Sequence, residues 1–228
     1  LLEYREFAFS DGAEFARRGA WRACFAERIG ASFDGRVIFE IGCNDAAFLA
    51  RVAAKHPTTA FIGIDWKYRA LHTAAERVAA SGLRNVALLH GRAQDVQKIF
   101  GDEEVDEIWV FHPDPCDKPQ ELRNRLIAEP FLADVHRVLR SGGGLMLKTD
   151  HAEYYRSAVH VVASLASRFE LAMSSENFWN DGRARSRTEG RSFADEITSF
   201  EARFLKKRLP IFYLELTKRE NAPRKRGG

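Results

Sequence analysis

The stretch VIFEIGCNDAAFLARV, residues 37–52, decides the fold. An apolar run carrying Glu40 stops at Gly42, and a helical pattern follows over 45–55, with Ala46, Ala47, Leu49, Ala50 and Val52 among its apolar positions. Strand, tight turn and helix in this order make the nucleotide-side unit of open α/β sheets. The turn is sparse, however. The dinucleotide fingerprint G-x-G-x-x-G is not met, since only Gly42 is present. Asn44 stands where a second glycine is expected, and Asn enters positive φ at modest cost. Ala46 is small enough for the helix to approach closely. The stretch reads either as an ordinary strand–helix turn or as a pared-down cofactor turn.

Outward from this unit, strands and helices alternate. TAFIGID (59–65), NVALLHG (85–91), VDEIWVFH (105–112), GGGLMLKTD (142–150), FELAMS (169–174) and PIFYLELTK (210–218) read as strands. KYRALHTAAERVAASG, AQDVQKIFG, residues 120–140 with an interruption near Pro130, and AEYYRSAVHVVASLASR read as helices. The pattern predicts a doubly wound α/β fold: a mainly parallel, seven-stranded sheet with an antiparallel C-terminal strand. Residues 1–35 are expected to be a helical extension, 36–220 the single α/β domain, and 221–228 a basic, disordered tail.

In such sheets a ligand sits beyond the carboxyl ends of the strands. Those ends carry Glu40, Gly42 and Asn44; Asp65; His90 and Arg92; His112 and Asp114; and Lys148, Thr149 and Asp150. Asp65 is placed to accept both ribose hydroxyls of a nucleoside, as in NAD and S-adenosylmethionine enzymes, or to cap the helix that follows. Composition narrows the setting. The chain has 228 residues, 45% hydrophobic and 29% charged, as a globular domain requires. No apolar run reaches the roughly 18 residues of a membrane span. Cys24, Cys43 and Cys116 are spaced for neither a disulfide framework nor zinc, which suits a reducing cytoplasm and no metal. A net charge of +3 neither demands nor excludes nucleic acid. In NFWNDGRARSRTEGR, Phe178 and Trp179 interleave with Arg183, Arg185, Arg187 and Arg191, which suits either contacts to RNA or a solvated loop.

The second half of the chain carries a resemblance. WVFHPDPCDKPQ, LMLKTD and ITSFEARF, in that order, resemble the tRNA (guanine-N7)-methyltransferase family, in which strand four runs into Phe-Pro-Asp-Pro-Trp, strand five ends in Thr-Asp, and Thr-x-Tyr-Glu follows. The matching residues are Phe111, Pro113, Asp114 and Pro115; Thr149 and Asp150; and Thr198, Phe200 and Glu201. WRACFAERIG, the Gly42 turn, SGLRNVALLHG and LPIFYLEL fall in the same register, so the resemblance spans roughly residues 20–218. It implies a Rossmann-like methyltransferase that uses S-adenosylmethionine and releases S-adenosylhomocysteine. It implies cofactor contacts at Glu40, Gly42, Asn44, Asp65, Arg92 and Ala93, catalysis at Asp114, and acceptor contacts at His112, Lys118, Asp150, Thr198 and Glu201. The expectation is that these acids converge on one cleft.

The departures are specific. Cys116 replaces the family's Trp, and CDKPQELRNRL is less basic than the family's stretch, keeping Lys118, Arg123 and Arg125. Arg92 stands where the family has an acid near the adenine. Three functions follow: a tRNA guanine-N7 methyltransferase, a methyltransferase of the same fold acting on a nucleobase-like small molecule, and a binding module without cofactor affinity. A monomer or homodimer fits each.

Overall fold

A computed structural model of the chain describes residues 1–10, 12–13, 15–194 and 196–220; the tail expected to be disordered lies outside them. Its strands are β1 (Ala8–Phe9), β2 (Val37–Ile41), β3 (Ala60–Asp65), β4 (Val86–His90), β5 (Val105–Phe111), β6 (Leu139–Thr149), β7 (Phe169–Ser175) and β8 (Phe212–Lys218). Its α-helices are α1 (Trp21–Ile29), α2 (Ala47–Lys55), α3 (Tyr68–Ala80), α4 (Val96–Ile99), α5 (Glu129–Val138), α6 (Ala152–Ser164), α7 (Gly182–Thr188) and α8 (Ser199–Lys206). The strands form one sheet in the order β1-β4-β3-β2-β5-β6-β8-β7, parallel except where β8 runs against β6 and β7. Strand order reverses between β2 and β5, and that reversal opens a crevice at the strands' carboxyl ends.

Every residue of β2, β3 and β5 is buried, as strands covered on both faces must be. Side chains alternate between two cores. Phe39, Ile41, Ile64 and Val110 pack with Trp21 and Phe25 of α1, Ile99 of α4, and residues of α5 and α6. Ile38, Phe61, Trp109 and Met146 pack with α2, α3 and Ala184 of α7 on the other face.

Three sequence expectations are corrected. Among the described residues the sheet has eight strands, not seven; the additional one, β1, pairs parallel with β4 through Ala8↔Leu88 and Phe9↔Leu89. It comes from the segment read as a helical extension, whose Trp21 is fully buried and donates from Nε1 to Ile99 O at 3.0 Å. The helix expected over 120–140 begins only at Glu129, because Pro130 occupies its first turn rather than its middle. Residues 115–128 carry only a short 3₁₀ turn, Leu122–Asn124. Finally, the arginine-rich segment after β7, read as a loop, is helical from Gly182 to Thr188 as α7, capped by Asp181, which accepts from Arg183 N at 3.0 Å. Among the described residues no helix is long and apolar enough to cross a membrane.

Candidate active site

The turn after β2 is built around Asp65. Gly42 N and Cys43 N donate to Ile64 O at 2.8 and 3.1 Å. Asn44 N then donates to Asp65 Oδ2 at 2.9 Å, and Lys67 N to Asp65 Oδ1 at 2.8 Å. Each carboxylate oxygen keeps a further lone pair. Gly42 lies at φ +80° and Asn44 at φ 50°, so asparagine does take a left-handed position there. Ala46, at φ 51°, takes another. The close packing that a fingerprint glycine provides comes from the neighbouring strand instead: a Cβ on Gly63 would meet Cys43 Sγ at 2.9 Å and Leu49 Cδ2 at 2.8 Å. A glycine inside a buried strand, next to this turn, is the sequence signal for that role.

Gly42 and Asp65 form one lip of a cleft of about 680 Å³ at the switch point. That volume is in the usual range for a small-molecule site. Ile41, Ile64, Val110 and Phe131 make an apolar floor, Trp66 and Gly91–Gln94 a side wall, and Pro113, Asp114, Cys116 and Arg123–Leu126 the opposite lip. Of the residues singled out in the sequence, Gly42, Asp65, Arg92, Ala93 and Asp114 line this cleft. Trp66, 67% exposed, was not singled out, although an aromatic directly after the strand-end acid is a visible signal. Arg92 is exposed at the rim and does not plug the cleft.

Glu40 lies beneath the turn. It is buried, its Oε2 has no hydrogen-bond partner, and burial followed by repulsion from Asp65 pushes its pKa up to about 8. Asp114 accepts from Cys116 N through Oδ1 at 3.1 Å; His112 and Cys116, on either side, hold left-handed φ of 56° and 49°.

The expected convergence of acids is not what the structure shows. Glu201 is fully buried and is not among the residues lining the cleft. Its Oε1 accepts from Lys148 Nζ at 3.1 Å and from Trp179 Nε1 at 2.7 Å. Its Oε2 accepts from Thr198 N at 3.3 Å, while Thr198 Oγ1 accepts from Glu201 N at 3.0 Å, a capping box at the start of α8. The spacing Thr-x-x-Glu already carries that signature. Lys148, itself 0% exposed, is enclosed by the rings of Phe111, Phe178, Trp179 and Phe193 at 4.4–5.6 Å.

Asp150 and His112 also stand apart from the cleft lining, with Nδ1 and Oδ1 3.6 Å apart and the imidazole packed on Phe204. Burial raises the Asp150 carboxyl, but hydrogen bonding to His112 and to its own backbone, together with the charges of His112 and His151, leaves the pKa below the ordinary value. Lys118 is exposed and pairs with Glu121 at 3.1 Å, outside the cleft. Arg187 and Arg191 reach the buried Glu215, at 3.1 and 2.6 Å, and Arg191 also reaches Glu107, whereas Arg183 is exposed and pairs with Asp181 at 3.3 Å. The Arg185 guanidinium lies over Trp179 at 4.6 Å. Among the described residues no cluster of His, Cys, Asp and Glu is placed to hold a metal.

This sheet order, with an antiparallel β8 inserted beside β6 and a ligand-sized cleft at the β2/β5 reversal, defines a Rossmann-like methyltransferase. A family model described as "Putative methyltransferase" (Methyltransf_4) matches residues 34–214. The tRNA (guanine-N(7)-)-methyltransferase of Geobacillus kaustophilus is 34% identical over 155 residues, covering 68% of this chain and 68% of that protein. A bifunctional glycosyltransferase/methyltransferase of Fusobacterium nucleatum is 26% identical over 96% of this chain, which spans only 32% of that relative's length. The crystal structure of the antibiotic-resistance methyltransferase Kmr superposes with a TM-score of 0.60 at 18% identity, over 88% of this chain and 94% of that one. The chain belongs to the tRNA (guanine-N7)-methyltransferase family, as a divergent member, and is an S-adenosylmethionine-dependent methyltransferase.

Proposed function

We propose that the chain methylates N7 of a guanine in tRNA, with the cofactor held on the Gly42–Asp65 side of the cleft and the acceptor on the Asp114 side. The observation that carries this reading is that Gly42, Asp65, Ala93 and Asp114 line a single cleft at the switch point. When bound, S-adenosylmethionine supplies a methyl group already activated on a sulfonium. The cleft fits such a group: a Cβ at Gly42 would meet nothing within 4 Å, Asp65 retains acceptor capacity for ribose hydroxyls, and the floor is apolar. Ala93 leaves room for the adenine, and Glu40 Oε2 is a buried acceptor beneath the turn still lacking a donor.

Guanine N7 presents a lone pair and has no proton to lose, so no strong general base is needed and the chain's task is positioning. Asp114 Oδ2 has no partner among the described residues. It accepts from guanine N1–H and the exocyclic amine, which adenine does not offer in that arrangement. The same negative charge stabilises the cationic ring as it forms. Arg123, on the Asp114 lip, meets backbone phosphate, and each such contact steepens the salt dependence of binding.

The test is methyl transfer from labelled S-adenosylmethionine to unmodified tRNA by the purified protein. The product expected is 7-methylguanine, read by borohydride–aniline cleavage. Asp114→Ala is expected to lower kcat by about 10²–10³-fold with S-adenosylhomocysteine affinity unchanged. No transfer to any tRNA pool by a chain that binds S-adenosylhomocysteine contradicts the tRNA reading.

A second reading, a nucleobase-like small acceptor, is favoured by one observation: the arginines of 185–191 are spent on Glu107, Glu215 and neighbouring rings rather than offered to RNA. It predicts transfer to free purine compounds and no tRNA retention at low salt.

A further inference from the structure

We propose that Arg125 is a positioning residue that holds the loop 113–116, and with it Asp114, in one arrangement. The inference rests on the role given to Asp114 above. The loop is bracketed by two non-glycine residues in the left-handed region, His112 and Cys116, each costing on the order of 1 kcal/mol or more. Such a backbone persists only where its surroundings hold it. Inside the loop, Cys116 N donates to Asp114 Oδ1. Among the described residues, one hydrogen bond reaches 113–116 from outside: Arg125 Nε donates to Pro115 O at 3.0 Å.

Arg125 is built for that task rather than for solvent. Its side chain is only 9% exposed, and its guanidinium lies over the Tyr154 ring at 5.6 Å. Tyr154 in turn accepts, through its hydroxyl, from Ile127 N at 3.3 Å, so the segment carrying Arg125 is anchored to α6. Asp117 and Glu153 approach Nη2 only to 3.8 and 3.7 Å, too far for hydrogen bonds, and Nη2 is buried without a partner. The charge is therefore weakly matched, and the directed bond is the one to Pro115. Because Arg125 also lines the cleft, the loop is fixed from the side on which the acceptor enters.

Cys116 reports the order of this loop. It is half-buried within it, whereas Cys43 is buried under the cofactor turn. In a Cys24→Ser background, the rate of thiol labelling at Cys116 measures how often the loop opens. Arg125→Met keeps the stem over Tyr154 and deletes the donor. It is expected to raise the labelling rate at Cys116 about tenfold or more and to lower kcat by about 10²-fold, because a small misplacement of a reacting geometry costs that much. Affinity for S-adenosylhomocysteine and the melting temperature should stay near wild type. Arg125→Lys, which returns a donor, is expected to restore most of the protection. Should the methionine chain fail to fold, Arg125→Leu, which also lacks a donor, provides the same comparison. Wild-type labelling in the folded donor-less variant overturns the proposal, as does a lysine variant no better protected than methionine. Labelling needs no acceptor: a wild-type chain that methylates nothing defeats the functional reading while the thiol measurement still judges Arg125.

Discussion

Glu201→Gln is expected to lower folding stability by about 3–5 kcal/mol at pH 7, the usual cost of stripping one partner from a buried ion pair. Both members are 0% exposed, and Lys148 has no other carboxylate within reach of its Nζ among the described residues. The four surrounding rings soften the loss through cation–π attraction without supplying a countercharge. Burial already holds the Lys148 pKa below 10.5, with Glu201 opposing that shift. Without the carboxylate, the folded state binds this proton less tightly still, while the unfolded chain keeps it up to its ordinary value. The unfolded state then binds more protons, so the variant should regain stability as pH rises toward that value. Denaturant unfolding at pH 7 and pH 9.5 reads both effects. The double variant Lys148→Met/Glu201→Gln should recover much of the loss at pH 7, because no lone charge remains. A single variant of wild-type stability would mean that the pair is hydrated.

The second large effect has the opposite sign with pH. Glu40 is pushed up to about 8 by burial and by Asp65, so between its ordinary pKa of 4.5 and that value the folded state holds a proton that the unfolded state has lost. Stability therefore falls as pH rises through this window and levels off above it. Glu40→Gln copies the neutral form and lacks the penalty. Relative to wild type it should gain roughly 2–3 kcal/mol between pH 6 and pH 9, at about 1.4 kcal/mol per unit. Thermal unfolding of the cofactor-free proteins at those two pH values checks this. Parallel pH profiles would mean that Glu40 ionises normally, with its unpartnered oxygen hydrated.

How much of this was legible in the sequence follows from the range of the interactions involved. Continuous apolar runs such as VIFEI and AFIGI identify strands covered on both faces, because such strands need no polar alternation. The turn was legible for a local reason too: Asn44 tolerates positive φ, and Asp65 ends the next strand. By contrast, β1 contributes two residues, too few for any periodicity to register. The pairing of Arg187 and Arg191 was not legible because the acids they meet, Glu107 and Glu215, lie on strands far away in sequence. Glu201 is the instructive case. Its family motif implied an acceptor contact, and the helix-start signature that the Thr-x-x-Glu spacing also carries went unread. Lys148, the residue that captures Glu201, sits 53 positions earlier and gave no sign of being buried.

The central claim is that the cleft between the Gly42 turn and the Asp114 loop holds the adenosyl cofactor, with Asp65 accepting its ribose hydroxyls. Calorimetric titration of the wild-type chain and Asp65→Ala with S-adenosylhomocysteine tests it most directly. Micromolar binding by the wild type, weakened on the order of tenfold or more in the variant by the loss of charge-assisted hydrogen bonds, is the predicted result. No binding by the folded wild-type chain, or equal affinity in a folded Asp65→Ala, would contradict it.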